Sequence, residues 1–212
     1  MSKDNKQGSE ELHTHSFFAM MDRMQYINRW GLMWNNRTEN IKEHSMDVAI
    51  VAHALATIRR VYFAADKVIP DPLLVMGMAL YHDASEIITG DLPTPIKYKN
   101  KDIMSAYKKV EEQAAEKLLG LLHEQMRDEY SVLFNPNRSD PIAEEAYRLV
   151  KAADRICAYI KCLSEEMSGN REFESAKKAV YSSIQKLSLP EADFFMTHFV
   201  PAYGKTLDQI TQ

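Results

Sequence analysis

The sequence predicts an all-α fold, a single helical bundle of about seven or eight helices. Apolar residues recur at helical spacing along most of the chain, and no segment shows sustained alternation of apolar and polar residues. Only 7 glycines and 8 prolines occur among 212 residues, which argues against strands joined by tight turns. Neither a linker nor an internal repeat interrupts the apolar stripes, so we expect residues 15–212 to form one domain.

The composition is ordinary for a globular protein, with 45% hydrophobic and 26% charged residues. A net charge of -4 and a pI near 6.0 give no support for binding a nucleic acid polymer or an anionic membrane. No window reaches 18 apolar residues, which excludes a spanning helix. Residues 1–14 are polar and indicate a disordered leader rather than a signal peptide. Cys157 and Cys162 suit neither a disulfide nor a zinc pair, and we expect a cytoplasmic protein.

The first half of the chain contains three predicted helices. Phenylalanine, methionine and isoleucine at helical spacing predict the first over residues 16–28, ended by Gly31. The second starts near His44 and continues to Val61, and its nearly uniform apolar character places it centrally. Pro72, with Asp71 as cap, begins the third, which extends to about Glu86.

The second half opens with a predicted loop, Gly90–Pro95, in which three of six residues are glycine or proline. A short amphipathic piece ends near Phe134, and Asn135-Pro136-Asn137 then breaks the chain. Asp140 before Pro141 is a helix start. The remaining helices are predicted over residues 102–122, 141–167, 173–187 and 190–199, followed by an irregular C-terminus.

Three groups able to bind a metal or transfer a proton stand together at the end of the third predicted helix. His82 and Asp83 are adjacent, and Glu86 follows one turn later on the same face. An isolated pair of this kind is more often a set of solvated charges at a helix end. Function therefore requires that other residues join them.

His44 and Asp154 are the candidates. His44 opens a buried helix, although alone it is more often a cap or a satisfied core histidine. Asp154 interrupts an apolar stripe, and a buried aspartate needs a partner, which a cation, Lys151 or Arg155 could provide. The joint pattern of His44, His82-Asp83 and Asp154 is much more specific than its parts.

This pattern in a helical chain resembles the HD-domain metal-dependent phosphohydrolases. Flanking motifs make it similar to the bacterial HD-domain 5′-deoxynucleotidases, and the similarity covers nearly everything after residue 15 except the loop at residues 135–141. The motifs occur in order as Ile27-Asn28-Arg29-Trp30, Arg37-Thr38-Glu39-Asn40, Glu43-His44-Ser45, Tyr81-His82-Asp83-Ala84-Ser85-Glu86 and Thr89-Gly90-Asp91-Leu92-Pro93-Thr94-Pro95, with a further match through Ala158–Leu163.

The resemblance implies a role for each matched position. The metal ligands would be His44, His82, Asp83 and Asp154. The catalytic residues would be Glu86, beside the attacking water, and Arg29, which would orient the phosphate. The substrate-binding residues would be Arg29, Trp30, His44, Asp83, Asp91, Leu92, Pro93, Thr94 and Asp154.

The chemistry of the residues agrees with these implied roles. Two imidazoles and two carboxylates suit one divalent transition ion (cobalt, manganese, zinc or iron) better than calcium. Such an ion would lower the pKa of a bound water enough for it to act at neutral pH. The planar donor fork of Arg29 matches a phosphate monoester, although alone it would be interpreted as a cation at a helix C-terminus. Trp30 is either ordinary packing or a wall against the sugar, and we hypothesise that it disfavours a ribose 2′-hydroxyl.

We therefore expect a metal-dependent 5′-deoxynucleotidase that converts 2′-deoxyribonucleoside 5′-monophosphates to deoxynucleosides and phosphate. The alternatives are an HD phosphohydrolase for nucleoside triphosphates, cyclic nucleotides or guanosine polyphosphates, a non-catalytic nucleotide-binding regulatory module, and a helical interaction protein. The resemblance also implies a homodimer. Its interface could use apolar C-terminal residues that could equally close the core, namely Phe194, Phe195, Met196, Phe199 and Val200.

Overall fold

Helices form nearly all the regular structure of the protein. The structure is a computed structural model, and it describes residues 14–65, 67–97 and 100–211, apart from the side chains of Thr94 and Pro95. Within these ranges the only β-type pairing is one isolated antiparallel bridge, between Asn28 and Asn40. The all-α prediction is confirmed. The predicted leader falls on residues 1–13, outside the described residues, and on Thr14, which is exposed.

Seven α-helices in the described residues have eight or more residues. The helices, in chain order, are α1 Phe17–Asp22, α2 Ile41–Tyr62, α3 Pro72–Tyr81, α4 Glu86–Thr89, α5 Thr94–Lys97, α6 Lys101–Leu119, α7 Arg127–Phe134, α8 Pro141–Met167, α9 Glu174–Gln185, α10 Pro190–His198 and α11 Leu207–Ile210. Single 3-10 turns cover Arg23–Tyr26, Glu124–Met126, Arg171–Phe173 and Val200–Gly204.

The core lies between α2, α3 and α8. Eleven residues of α2 are buried, as its apolar sequence predicted, and Leu55 and Ile156 meet in this core. A smaller apolar cluster around Phe17 and Leu118 joins α1, α6 and α7. Asp71 and Asp140 cap α3 and α8 by accepting a backbone N–H, which confirms both predicted helix starts.

The first two helices differ from their predicted bounds. The α-helix that starts at Phe17 ends at Asp22 and continues only as a 3-10 turn, because Asn28 must be extended to bridge Asn40. The second helix starts at Ile41, three residues before the predicted His44. Its cap is the Asn40 side chain, which accepts the N–H groups of Lys42 and Glu43 at 3.0 Å each.

The third helix ends at Tyr81, and the prediction that it reaches Glu86 is wrong. Residues 82–85 form a turn with shorter-range hydrogen bonds, from Ala84 N–H to the Tyr81 carbonyl at 3.0 Å and from Glu86 N–H to the Asp83 carbonyl at 2.9 Å. Other bounds differ as well. The short helix α5 falls partly within the predicted 90–95 loop, α6 ends at Leu119 rather than Leu122, and α9 covers Glu174–Gln185 rather than residues 173–187.

Buried charge and apolar residues close the far end of the bundle. Arg59 donates to Glu145 at 2.7 Å and to the fully buried Glu191, and so ties α2 to α8 and α10. The apolar residues considered for a dimer interface mostly face inward, since Phe195 and Val200 belong to the core while Phe199 is 46% exposed.

Two further sequence expectations can be compared with the structure. Both cysteines are free and buried. Among the described residues no helix combines the length and the apolar character needed to cross a membrane.

Candidate functional site

His82 and Asp83 lie where α3 gives way to the turn. Nδ1 of His82 donates to the Ala79 carbonyl at 2.7 Å, and a carbonyl can only accept, so this nitrogen carries the proton. The opposite nitrogen, Nε2, is buried without a hydrogen-bond partner and lies 3.1 Å from Asp83 Oδ2. The turn therefore presents an imidazole nitrogen and a carboxylate oxygen side by side.

The two distant candidates converge on this pair. His44, in the first turn of α2, is completely buried, and its Nε2 lies 3.2 Å from Asp154 Oδ1 and 3.7 Å from Asp83 Oδ2. The rings of His44 and His82 are 5.4 Å apart between centroids. Asp154 projects from α8 with its side chain 25% exposed. Elements far apart in sequence thus bring all four predicted ligands together.

The electrostatics of this cluster show how strongly its members depend on one another. Burial opposes charge on Asp83 and Asp154, but the neighbouring imidazoles hold the pKa of both carboxyls below their usual range. Burial and the charge of Arg29 lower the pKa of His44. The pKa of His82 is raised, since Asp83 outweighs the burial that acts against its charge.

The arrangement fits a divalent cation. Donor atoms of His44, His82 and Asp154 all lie within 4.8 Å of one another, and Asp83 touches both imidazoles. The unpartnered Nε2 of His82 has the orientation of a ligand, because its other nitrogen is fixed by a backbone carbonyl. Mixed imidazole and carboxylate donors are those that zinc, manganese and cobalt accept.

Glu86 begins α4, just after the turn, and is outside the cluster of four. Its side chain is buried and Oε2 has no hydrogen-bond partner. Burial, followed by the negative charges of Asp83 and Asp91, raises the pKa of Glu86 to about 10. A divalent charge at the adjacent cluster would oppose this shift.

Arg29 and Trp30 form a second cluster beside the first. Arg29 Nη1 donates to Glu39 Oε2 at 2.6 Å, and the indole Nε1 of Trp30 donates to the same oxygen at 3.1 Å. Burial disfavours the charge of Arg29, but Glu39, then Asp83 and other acids raise its pKa, so it stays a cation.

The backbone of Trp30 has an uncommon conformation, with φ at 59°. Its N–H donates to Asp91 Oδ2 at 3.2 Å, and its ring meets that of Phe173 edge to face at 5.3 Å. Residues held in sparsely populated conformations concentrate at functional sites, where the surroundings fix them. Trp30 is fixed in this way through its backbone, its indole nitrogen and its ring.

The predicted substrate segment 91–94 is only partly attached to these clusters. Asp91 joins it through Trp30, and burial raises the pKa of this aspartate although Arg29 opposes the shift. Leu92 and Pro93 follow, both half-buried. The side chain of Thr94 lies outside the described residues, so its predicted contact stays a prediction.

A cleft of about 700 Å³ opens onto His82 and Asp83. Aromatic residues line part of it, including Tyr81, Phe134 and Tyr147. Its cations are paired with acids: Lys97 with Glu111 at 2.7 Å, Lys108 with Glu112 at 3.7 Å, Arg138 with Glu144 at 2.6 Å and Lys151 with Asp154 at 4.0 Å.

Sequence reasoning missed several residues that hold these groups. Glu39 stands inside a quoted motif but received no role, and its position opposite Arg29 follows from the Asn28–Asn40 bridge. Glu165, which accepts the backbone N–H groups of Asn36 and Arg37, gave no sequence signal, and neither did Phe173, whose ring packs against Trp30. Of the two alternative partners of Asp154, Lys151 approaches it, while Arg155 instead donates to the Ser183 carbonyl at 2.8 Å.

Comparison with solved structures gives the class of fold. An HD-domain phosphohydrolase from Listeria innocua matches with a TM-score of 0.74 and 19% sequence identity, covering 93% of this chain and 95% of that one. A cyanophage S-2L HD phosphohydrolase bound to dA and one catalytic Zn²⁺ ion matches with a TM-score of 0.61 and 18% identity, covering 86% and 95%. The fold is that of the HD-domain phosphohydrolases.

Sequence comparison then gives the family. The model of the family described as 5′-deoxynucleotidase YfbR-like matches residues 16–203. A 5′-deoxynucleotidase of Erwinia tasmaniensis is 46% identical over 201 residues, which span 95% of this chain and 98% of that protein. The chain belongs to the YfbR-like 5′-deoxynucleotidase family, and the resemblance inferred from its motifs is confirmed.

Proposed function

We propose that this protein is a metal-dependent 5′-deoxynucleotidase, which hydrolyses 2′-deoxyribonucleoside 5′-monophosphates to deoxynucleosides and phosphate. The observation that carries this proposal is the adjacency of two clusters. One gathers His44, His82, Asp83 and Asp154 from three parts of the fold, and the other places the cation of Arg29 beside the indole of Trp30. Family membership supports the same substrate class.

The four clustered residues would hold one divalent transition ion, which we expect to be cobalt, manganese or zinc. When bound, such an ion supplies Lewis acidity toward the phosphoryl oxygen and makes a coordinated water more acidic. The protein contributes fixed donors, since His82 is oriented by Ala79 and His44 is buried in α2.

The remaining residues would act directly on water and substrate. Glu86 would accept a proton from the attacking water once the charge of a bound ion opposes its raised pKa. It is suited to this role because its buried Oε2 has no hydrogen-bond partner and it follows the turn that carries His82 and Asp83. The water oxygen would bond to phosphorus, the bond between phosphorus and O5′ would break, and the proton that Glu86 took from the water would pass to the departing O5′. Arg29 presents parallel donors to the phosphate, as a guanidinium does to a planar pair of oxygens.

The cleft favours a monophosphate over the larger substrates considered above. Its volume of about 700 Å³ suits a nucleotide-sized ligand. Four cations line it, but each is already paired with an acid, so added phosphates would have to displace those pairs. They are Lys97, Lys108, Arg138 and Lys151. Trp30 does not line this cleft. We assign it the wall near the sugar because it follows Arg29 in the chain and its backbone N–H donates to Asp91.

One panel of assays tests the proposal. The purified protein is stripped of metal, reconstituted with single divalent ions, and assayed for phosphate release from dAMP, AMP, a 3′-monophosphate and dATP. We expect metal-dependent release from dAMP in preference to the other three. Equal activity without metal, or preference for dATP, contradicts the proposal. Sedimentation of the same preparation tests the homodimer, which we propose from the family resemblance.

A further inference from the structure

Glu39 joins the two substrate-facing side chains through a single atom. Its Oε2 accepts from Arg29 Nη1 at 2.6 Å and from Trp30 Nε1 at 3.1 Å. The Glu39 side chain is 14% exposed and that of Arg29 12%, so water competes weakly for these bonds. Two neighbouring residues reach one oxygen because the positive φ of Trp30 turns the chain between them.

Glu39, whose side chain holds Arg29 and Trp30, is itself held by hydrogen bonds of the backbone. The N–H of Arg29 donates to the Glu39 carbonyl at 2.8 Å, next to the bridge between Asn28 and Asn40. Asn40 in turn caps α2, the helix that carries His44. The backbone of Glu39 is therefore attached to α2, the helix that also carries His44 of the metal-binding cluster.

Arg29 needs such a partner because other acids attract it. The negative charges of Asp83, Asp154 and Asp91 all act on its guanidinium. A long, flexible side chain without Glu39 would turn toward the carboxylates predicted to hold the ion. The bond to Glu39 keeps Arg29 away from them and beside the indole.

We propose that Glu39 is the positioning residue that fixes the spacing between Arg29 and Trp30, and thereby couples phosphate binding to rejection of a ribose 2′-hydroxyl. The inference rests on the proposed function, since it assumes that Arg29 meets the phosphate and Trp30 the sugar. Steric rejection of one hydroxyl requires a wall that does not move relative to the phosphate. One shared acceptor supplies that constraint for both side chains.

The test compares Glu39→Gln with Glu165→Gln, a variant that loosens the same loop without touching Arg29 or Trp30. Glu165 accepts the backbone N–H groups of Asn36 at 2.9 Å and Arg37 at 3.2 Å. The metal-reconstituted proteins are assayed on dAMP and AMP for kcat and KM separately. For Glu39→Gln we expect the KM for dAMP to rise about tenfold, because a charged acceptor is lost, and the preference for dAMP over AMP to fall.

The proposal is overturned if Glu39→Gln and Glu165→Gln change the preference for dAMP over AMP by the same amount. If Glu165→Gln lowers the dAMP preference as much as Glu39→Gln does, Glu39 is only one element of loop structure. An unchanged preference and KM in folded Glu39→Gln overturns it as well. Glu39→Ala is measured in parallel, and we expect a larger loss in the same direction.

A spectroscopic measurement separates this inference from the proposed function. The chain contains 2 tryptophans, so Trp34→Phe leaves Trp30 as the only indole emitter. In that background Glu39→Gln should shift the Trp30 emission, and adding dAMP to the metal-free protein should quench it less than in the parent. If the parent protein hydrolyses no nucleotide, the proposed function is wrong. If Glu39→Gln leaves the Trp30 emission unchanged, the role of Glu39 is wrong, whatever the result for hydrolysis.

Discussion

Glu165→Gln tests how the loop that presents Arg29 and Trp30 is fastened to the helical core. The Glu165 side chain is 2% exposed and accepts hydrogen bonds from two directions. The loop supplies the backbone N–H groups of Asn36 and Arg37, while Lys161 and the Asn170 amide, at 2.8 Å, supply the others. Removing the charge leaves Lys161 without its anion in a buried place.

The lowered pKa of Glu165 gives the size of the expected loss in the free energy of unfolding. Burial acts to raise the pKa, but Lys161 and the amide donors outweigh it and lower the pKa from 4.5 to about 2. At about 1.4 kcal/mol per pKa unit, the charged form stabilises the fold by about 3 kcal/mol at neutral pH. Because the folded pKa is the lower one, this stability is present above pH 4.5 and is lost as the pH falls toward about 2.

The assay is urea unfolding followed by far-UV circular dichroism, at about pH 7 and about pH 3.5. We expect Glu165→Gln to lose about 3 kcal/mol at the higher pH and about 2 kcal/mol at the lower. Glu166→Gln is the matched control, because the Glu166 side chain is itself 45% exposed, and it should lose less than about 1 kcal/mol. A loss below about 1 kcal/mol for Glu165→Gln, or an equal loss at both pH values, refutes the reasoning.

Two further predictions concern the reaction itself. Glu86→Gln should lower kcat about 10²- to 10⁴-fold while metal content and dAMP binding stay as in the parent, because the residue would move a proton without holding the ion. Loss of metal, measured by plasma mass spectrometry, would reassign Glu86 as a ligand. Trp30→Ala should raise AMP turnover relative to dAMP, since the wall near the sugar is removed; an unchanged ratio of kcat/KM values contradicts that role.

The helices were predictable because their signals are local. The longest helix, α8, begins at an Asp-Pro cap and ends before Ser-Gly-Asn, and its apolar stripe continues on both sides of Asp154, so both its ends at Pro141 and Met167 match. The end of α3 carried no such signal. Residues 82–85 contain neither glycine nor proline, so the apolar spacing predicted that the helix continues through them. In the structure they form a turn, and the His82 ring donates a hydrogen bond to the Ala79 carbonyl.

The residues of the candidate site likewise fall into those that could be predicted from the sequence and those that could not. His44, His82, Asp83 and Asp154 could be named because their residue types and order resemble a family pattern, and the fold gathers all four. Glu165 could not be named, because the loop residues that it anchors lie 128 and 129 positions away in sequence. A glutamate near the end of a charged helix resembles many solvated ones, and only tertiary structure gives it partners.

The two halves of the site are therefore held by different forces, and this has a functional consequence. The predicted metal donors project from α2, α8 and the turn after α3, which are packed in the main core. Arg29 and Trp30 stand on a loop that is held by two carboxylates, Glu39 at one end and Glu165 at the other. Substitutions of Arg29, Trp30 or Glu39 should thus alter substrate preference while the ion stays bound, whereas cavities in the α2–α8 core should weaken both. Selectivity can change in this fold independently of the metal centre because the loop is held by its own contacts with Glu39, Glu165 and Phe173.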